Sequence, residues 1–198
     1  MSTLSKTQGT SLLSLQSLAS NSVVISSAVD VSTKLAATVG IHFGRRIATA
    51  LTEGVEFRIE ASTKSSGDGH WYPLAVFKTA IATSEAEAVS GTVASGTNVI
   101  TVASTTNLVA GDKVYIDNGT IANSEWGRIK SIVGSTSITI EDNLVNAQTG
   151  ATIYDQAEFY VASLDLTAVG RIRLVVDGRN TGQAVAVEAH IVTADSIG

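Results

Sequence analysis

Apolar residues alternate with polar ones in short runs along most of this chain. The clearest run sets Val55, Phe57 and Ile59 against Glu56, Arg58 and Glu60. Successive side chains of a strand point to opposite faces, so this period-two pattern predicts a strand with one buried and one solvated face. Ile172, Leu174 and Val176 against Arg171 and Arg173 repeat it. Val23–Ile25, Val29–Val31, Lys34–Phe43 and His70–Lys78 read as further strands. Pro73 lacks a backbone N–H to donate, which assigns His70–Lys78 to a sheet edge or a bulge. Ser65–Gly69 is a turn, with glycines that tolerate positive φ.

The style changes near residue 80. Ala80–Val89 reads as a short helix or a linker. Short strands follow at Asn98–Ala103, Lys113–Asp117, Arg128–Val133, Ser137–Ile140 and Ala151–Tyr154. Asp117-Asn118-Gly119 and Val133-Gly134-Ser135 supply the turns between them. This spacing predicts a small barrel or sandwich. Longer strands return at Glu158–Leu166, Arg171–Asp177 and Ala184–Thr193, the last two read as a hairpin through Asp177-Gly178 and Thr181-Gly182. The expected fold is all-β: a β-sandwich (jelly-roll-like) outer domain of residues 21–87 plus 156–198, interrupted by an inserted small β-barrel or β-sandwich module of residues 88–155. A single continuous sandwich is the competing reading.

Residues 1–20 break the pattern. Leu12, Leu13, Leu15 and Leu18 stand on a Ser/Thr-rich stretch with one lysine. The plain reading is a frayed terminus. The sharper one is an N-terminal arm that orders against a neighbouring subunit, since each leucine gains roughly 1.5–3 kcal/mol on full burial. A helix over 11–18 has weak propensity support.

Composition narrows the functional classes. Hydrophobic residues make up 44% of the chain and charged ones only 16%, against a usual charged share of ~25%. The net charge is −5 and no run of Lys or Arg stands out, which argues against direct nucleic-acid binding. The chain has no cysteine, so it has neither disulfides nor thiolate chemistry. No apolar run approaches the ~20 residues that span a bilayer. The N-terminus is a poor secretion signal, and assembly in the cytoplasm is expected.

Candidate chemistry is sparse. His42, His70 and His190 fall in three predicted strands and would form a tri-His metal site only if those strands were neighbours. Asp112, Asp117, Glu141 and Asp142 carry oxygen ligands, but their hairpin ends favour turn hydrogen bonds over calcium. Trp71 and Trp126 are the available platforms for a sugar ring, and core or interface packing is the plainer use of both. Arg45-Arg46 follows a predicted strand end and would suit an acidic patch on a partner or a solvated turn. No catalytic motif is present, so no enzyme and no cofactor are expected.

The stretches GTNVITVASTTNLVAGDKVYI (Gly96–Ile116), GRIKSIVGSTSITIEDNL (Gly127–Leu144) and TGATIYD (Thr149–Asp155) resemble small β modules of tailed-bacteriophage structural proteins. VDVSTKLAATVGIHFGRR (Val29–Arg46), GVEFRIEAS (Gly54–Ser62) and WYPLA (Trp71–Ala75) look similar to phage head proteins of the decoration, or cement, type. The resemblance implies a multi-copy virion protein on the capsid surface. Its partners would be the major capsid protein and further copies of itself, as a homodimer or homotrimer. The candidate contact residues are Leu12, Leu13, Leu15, Leu18, Arg45, Arg46 and Trp71. A tail or neck protein and a carbohydrate-binding module are the alternatives.

Overall fold

The computed structural model describes residues 9–67 and 69–195. The described residues form an all-β structure, with 53% of them in strands. Among the described residues no helix is long and apolar enough to cross a membrane.

In chain order the first strands are β1 (Thr10–Leu18), β2 (Val23–Ile25), β3 (Val29–Asp30), β4 (Lys34–Arg45), β5 (Glu56–Ser62) and β6 (Tyr72–Lys78). A run of shorter strands follows: β7 (Ala86–Ala88), β8 (Thr92–Val93), β9 (Val99–Thr101), β10 (Lys113–Asp117), β11 (Glu125–Val133), β12 (Ser137–Ile140), β13 (Gln148–Thr149) and β14 (Thr152–Tyr154). The chain closes with β15 (Glu158–Asp165), β16 (Arg171–Asp177) and β17 (Val185–Asp195).

Two antiparallel sheets form a sandwich. One has the order β1-β17-β4-β15, and the other has the order β2-β16-β5-β6 with β3 also paired to β16. Alternation explains their faces. In β4, Ala37, Val39, Ile41 and Phe43 are buried, and in β5 Phe57 and Ile59 are buried. The facing sides of β16 and β17 complete the same core. On the outer side of β5 and β16, Arg58 pairs with Glu56 and Glu60, and Arg173 pairs with Glu60. β6 is an edge strand, and its register slips at Pro73, which meets Glu60 where Leu74 would otherwise stand. The missing N–H of Pro73 is tolerated there.

The strands from β7 to β14 form a second unit with a separate core. Six of them run in the order β7-β14-β10-β11-β12-β9, with β8 and β13 paired beside them. The sheet curls until its two ends meet. Val89, just past β7, bridges Val102, just past β9, and the amide of Ala103 donates to the carbonyl of Ala88. Ile100, Val114, Ile116, Ile129, Ile138 and Ile153 fill the interior.

Several expectations are corrected. Thr10–Leu18 is neither helix nor separate arm: it is a strand of the chain's own sandwich, paired with β17, with Leu12, Leu13 and Leu18 in the core. The remainder of the expected arm, residues 1–8, lies outside the described residues. Ala80–Val89 is extended chain entering β7, not a helix. Asp177–Gly182 does not turn a hairpin; β16 and β17 belong to different sheets, and this segment carries the chain across the sandwich.

Candidate functional site

The sandwich and the second unit meet on the outer face of β4, β15 and β17. Gly44 on β4 is the seat. A Cβ there would lie 2.6 Å from Trp126 Cζ3 and 2.6 Å from Tyr115 Cγ. Only a residue without a side chain lets both rings of the second unit lie on the strand. Tyr115 and Trp126 stand opposite each other on β10 and β11 and pack with ring centroids 4.7 Å apart. Ala186 on β17 and Ala157 before β15 close the same apolar cluster, and Leu15 of β1 packs against it.

A polar network frames this wedge. Trp126 Nε1 donates to Glu188 Oε2 at 2.6 Å. Glu188 is flanked by His42 Nδ1 at 3.7 Å and His190 Nε2 at 3.2 Å. Burial pushes the Glu188 carboxyl up, but contacts from His42 and Trp126 and the nearby His190 outweigh it and hold the group below its ordinary value. The His42 ring lies 4.4 Å from Phe159 and 5.4 Å from Trp126, and the Lys113 ammonium sits 5.1 Å from the Phe159 ring centre. These residues line a cleft of about 390 Å³ whose outer wall is Arg128, Glu141 and Asp142. Burial also raises the Tyr115 hydroxyl to about 12.

The second clamp is ionic. Arg46 Nε donates to Asp117 Oδ2 at 2.8 Å and Arg46 Nη2 to Asp117 Oδ1 at 3.2 Å, a two-point contact from the residue that follows β4 to β10. Arg46 Nη1 also reaches Ser17 Oγ of β1 at 3.2 Å. The hydrogen bond to Asp117 leads in raising Arg46 above its ordinary value. Arg46, read as suited to a partner's acidic patch or to a solvated turn, instead pairs with an acid of its own chain.

Arg45 corrects the turn reading in another way. Strand β4 continues two residues past Phe43, and alternation turns Arg45 to the buried side, where it is 1% exposed. None of its three nitrogens has a hydrogen-bond partner among the described residues. Burial lowers its proton affinity, partly offset by the charges of Glu158 and Asp155. Those two acids stitch the connections between the units. Asp155 Oδ1 accepts from the Ser84 hydroxyl and the Glu85 amide, and Glu158 Oε1 accepts from the Ala80 amide.

The remaining candidates are spread out. Leu12, Leu13 and Leu18 are occupied in the sandwich core, and only Leu15 touches the junction. Trp71 lies on the other sheet, with the Arg173 guanidinium 4.2 Å and the Arg171 guanidinium 5.3 Å from its ring centre. His42 and His190 are brought together, with ring centres 6.2 Å apart, while His70 is exposed in the loop before β6. No group of three or more His, Asp or Glu side chains among the described residues is arranged to hold a metal. Sequence reasoning missed Gly44 and Glu188, and the only signal for Gly44 was a glycine on the alternating face of a strand read as ending at Phe43. No protein-family model, no curated protein and no solved structure matches this chain.

Proposed function

We propose that this protein is a virion structural protein that binds the outside of a tailed-phage capsid in many copies and stabilises the head against internal DNA pressure. The observation that carries the reading is the wedge of Tyr115 and Trp126 on Gly44, with the Arg46–Asp117 clamp beside it. A cement subunit transmits load between lattice subunits, and two β units hinged loosely would yield before they transmitted it. Here apolar packing, an ion pair and stitched connections join them. Many weak contacts to a lattice then add through multivalency. The resemblance of Val29–Arg46 to phage head proteins, and of Gly96–Ile116 to small β modules of tailed-phage structural proteins, supports the same reading.

The sugar-platform alternative has less support. The Trp126 ring is packed on Tyr115 and its N–H is taken by Glu188, and Trp71 carries two guanidinium groups. Immunogold labelling of particles from the natural source tests the proposal. Even labelling of heads is the expected result. Labelling confined to tails or necks would transfer the protein to that class, and particles without label would overturn the virion reading.

A further inference from the structure

We infer that a cleft between β1, β11 and β17 is a docking site for a cationic side chain, arginine or lysine, presented by a partner protein. Any basic protein surface can supply that side chain, a capsid's or another's.

Trp126 lines two clefts at the junction of the two units. The one beside Phe159 holds charges of both signs. The other has a volume of about 380 Å³, with Leu15, Ala122, Trp126 and Val145 as its apolar walls and Glu125 and Glu188 as its charged groups. No lysine, arginine or histidine lines it. Clefts between packed units are common ligand sites, and the few polar groups in them set what is bound.

Both carboxylates are held by neutral donors. Glu125 accepts from the Val145 and Asn146 amides and from Gln148 Nε2. Glu188 accepts from the Trp126 indole, and its ion-pair partners among the described residues are the two imidazoles His42 and His190. A half-buried carboxylate without a lysine or arginine beside it attracts a cation, and the walls of a cleft strengthen that attraction. The charge of the whole unit points the same way. Residues 84–156 carry eight Asp and Glu against three Lys and Arg, so this unit holds the chain's entire net charge of −5 and the remainder is neutral. Such a field steers basic partners toward it.

The rim says what carries the cation. Val145 is 79% exposed, more than any other large apolar residue among those described. Ala122, on the same cleft, is exposed as well. A free amine from solution would leave this rim wet. A side chain on a polypeptide lays its aliphatic stem along Leu15 and Val145 and brings a neighbouring residue to cover the rim. Arginine suits the aromatic wall best, because its planar head also stacks on rings.

The indole N–H of Trp126 donates into the cleft's own Glu188, so its NMR resonance reports on occupancy. Trp71 lies on the other sheet and is the internal control; the chain has no third tryptophan. The probes are N-acetyl-arginine amide, its uncharged counterpart N-acetyl-citrulline amide, and two acetylated dipeptide amides with leucine before or after the arginine. They are titrated into the native chain, Glu188→Gln and Val145→Ser, with urea midpoints confirming that each variant is folded. The expected result is a saturable Trp126 shift with the arginine compounds, none with citrulline, and a still Trp71. At least one dipeptide should bind several-fold more tightly than arginine amide. Glu188→Gln should weaken every arginine compound several-fold, and Val145→Ser should remove the gain from leucine alone. No saturable shift, or an equal shift with citrulline, overturns the cation site. Equal affinity of arginine amide and both dipeptides overturns protein docking, since the cleft would then take free cations. Particle labelling is read separately, so failure here leaves the virion reading standing.

Discussion

Gly44, Arg45 and Arg46 are consecutive and have three different fates, because a strand turns each side chain away from the last. Gly44 faces the second unit, Arg45 the buried end of the sandwich, and Arg46 reaches across to Asp117. Gly44→Ala forces a methyl group to within 2.6 Å of two rings. Overpacking of this kind costs about 1–3 kcal/mol; the expected readout is a lower urea midpoint together with a shift in Trp126 emission. Glu188 gives the junction a pH dependence of known sign. Its folded carboxyl titrates below the ordinary 4.5. Its share of stability is therefore complete above 4.5 and drains away as pH falls through the folded value. In Glu188→Gln the side-chain oxygen still accepts from Trp126 but does not titrate, so urea midpoints measured from pH 7 to pH 3 should fall less steeply than in the parent. Equal slopes would remove Glu188 from the acid response. These residues were hard to read in the sequence for one reason. The strand was taken to end at Phe43, but it runs on through Gly44, the seat, and Arg45, and delivers Arg46, the clamp, just past its end.

Strands were legible where alternation was uninterrupted. β10, β12 and β16 have the expected bounds, and β5 shows the expected faces. β1 was not legible, because its register slips place Leu12 and Leu13 side by side in the core and so erase the period of two. The connection from β16 to β17 looked like a hairpin because Gly178 and Gly182 suit any sharp turn; only packing decides whether a turn returns to its own sheet. The junction was unreadable for a related reason. His42, Trp126 and Glu188 come from β4, β11 and β17, and no spacing along the chain records that these strands meet. At this scale the Arg46–Asp117 contact is the testable element-to-element tie. A double-mutant cycle with Arg46→Ala and Asp117→Ala should return a coupling of about 1 kcal/mol, at the upper end for a partly exposed pair because the contact is two-pointed. A coupling near zero would assign the tie between the units to the aromatic wedge alone.

Across the whole molecule, two cores share one backbone without sharing a sheet. The second unit has its own apolar interior, closed by the Val89–Val102 bridge. A fragment of residues 84–156 is therefore expected to unfold cooperatively in urea by itself, with Trp126 emission shifted to the red because its seat on Gly44 is gone. A fragment without a cooperative transition would make the sandwich a required template. The way this unit is attached has a wider consequence. Ala88 pairs with Thr152 and Ala86 with Tyr154, so the chain enters and leaves the unit through adjacent, antiparallel strands. An insert mounted on such a doorway is a replaceable part. Its tip can drift in sequence, lengthen, or be traded for another compact fold while the sandwich keeps its own topology. The insert and the sandwich can then change at separate rates within a single chain.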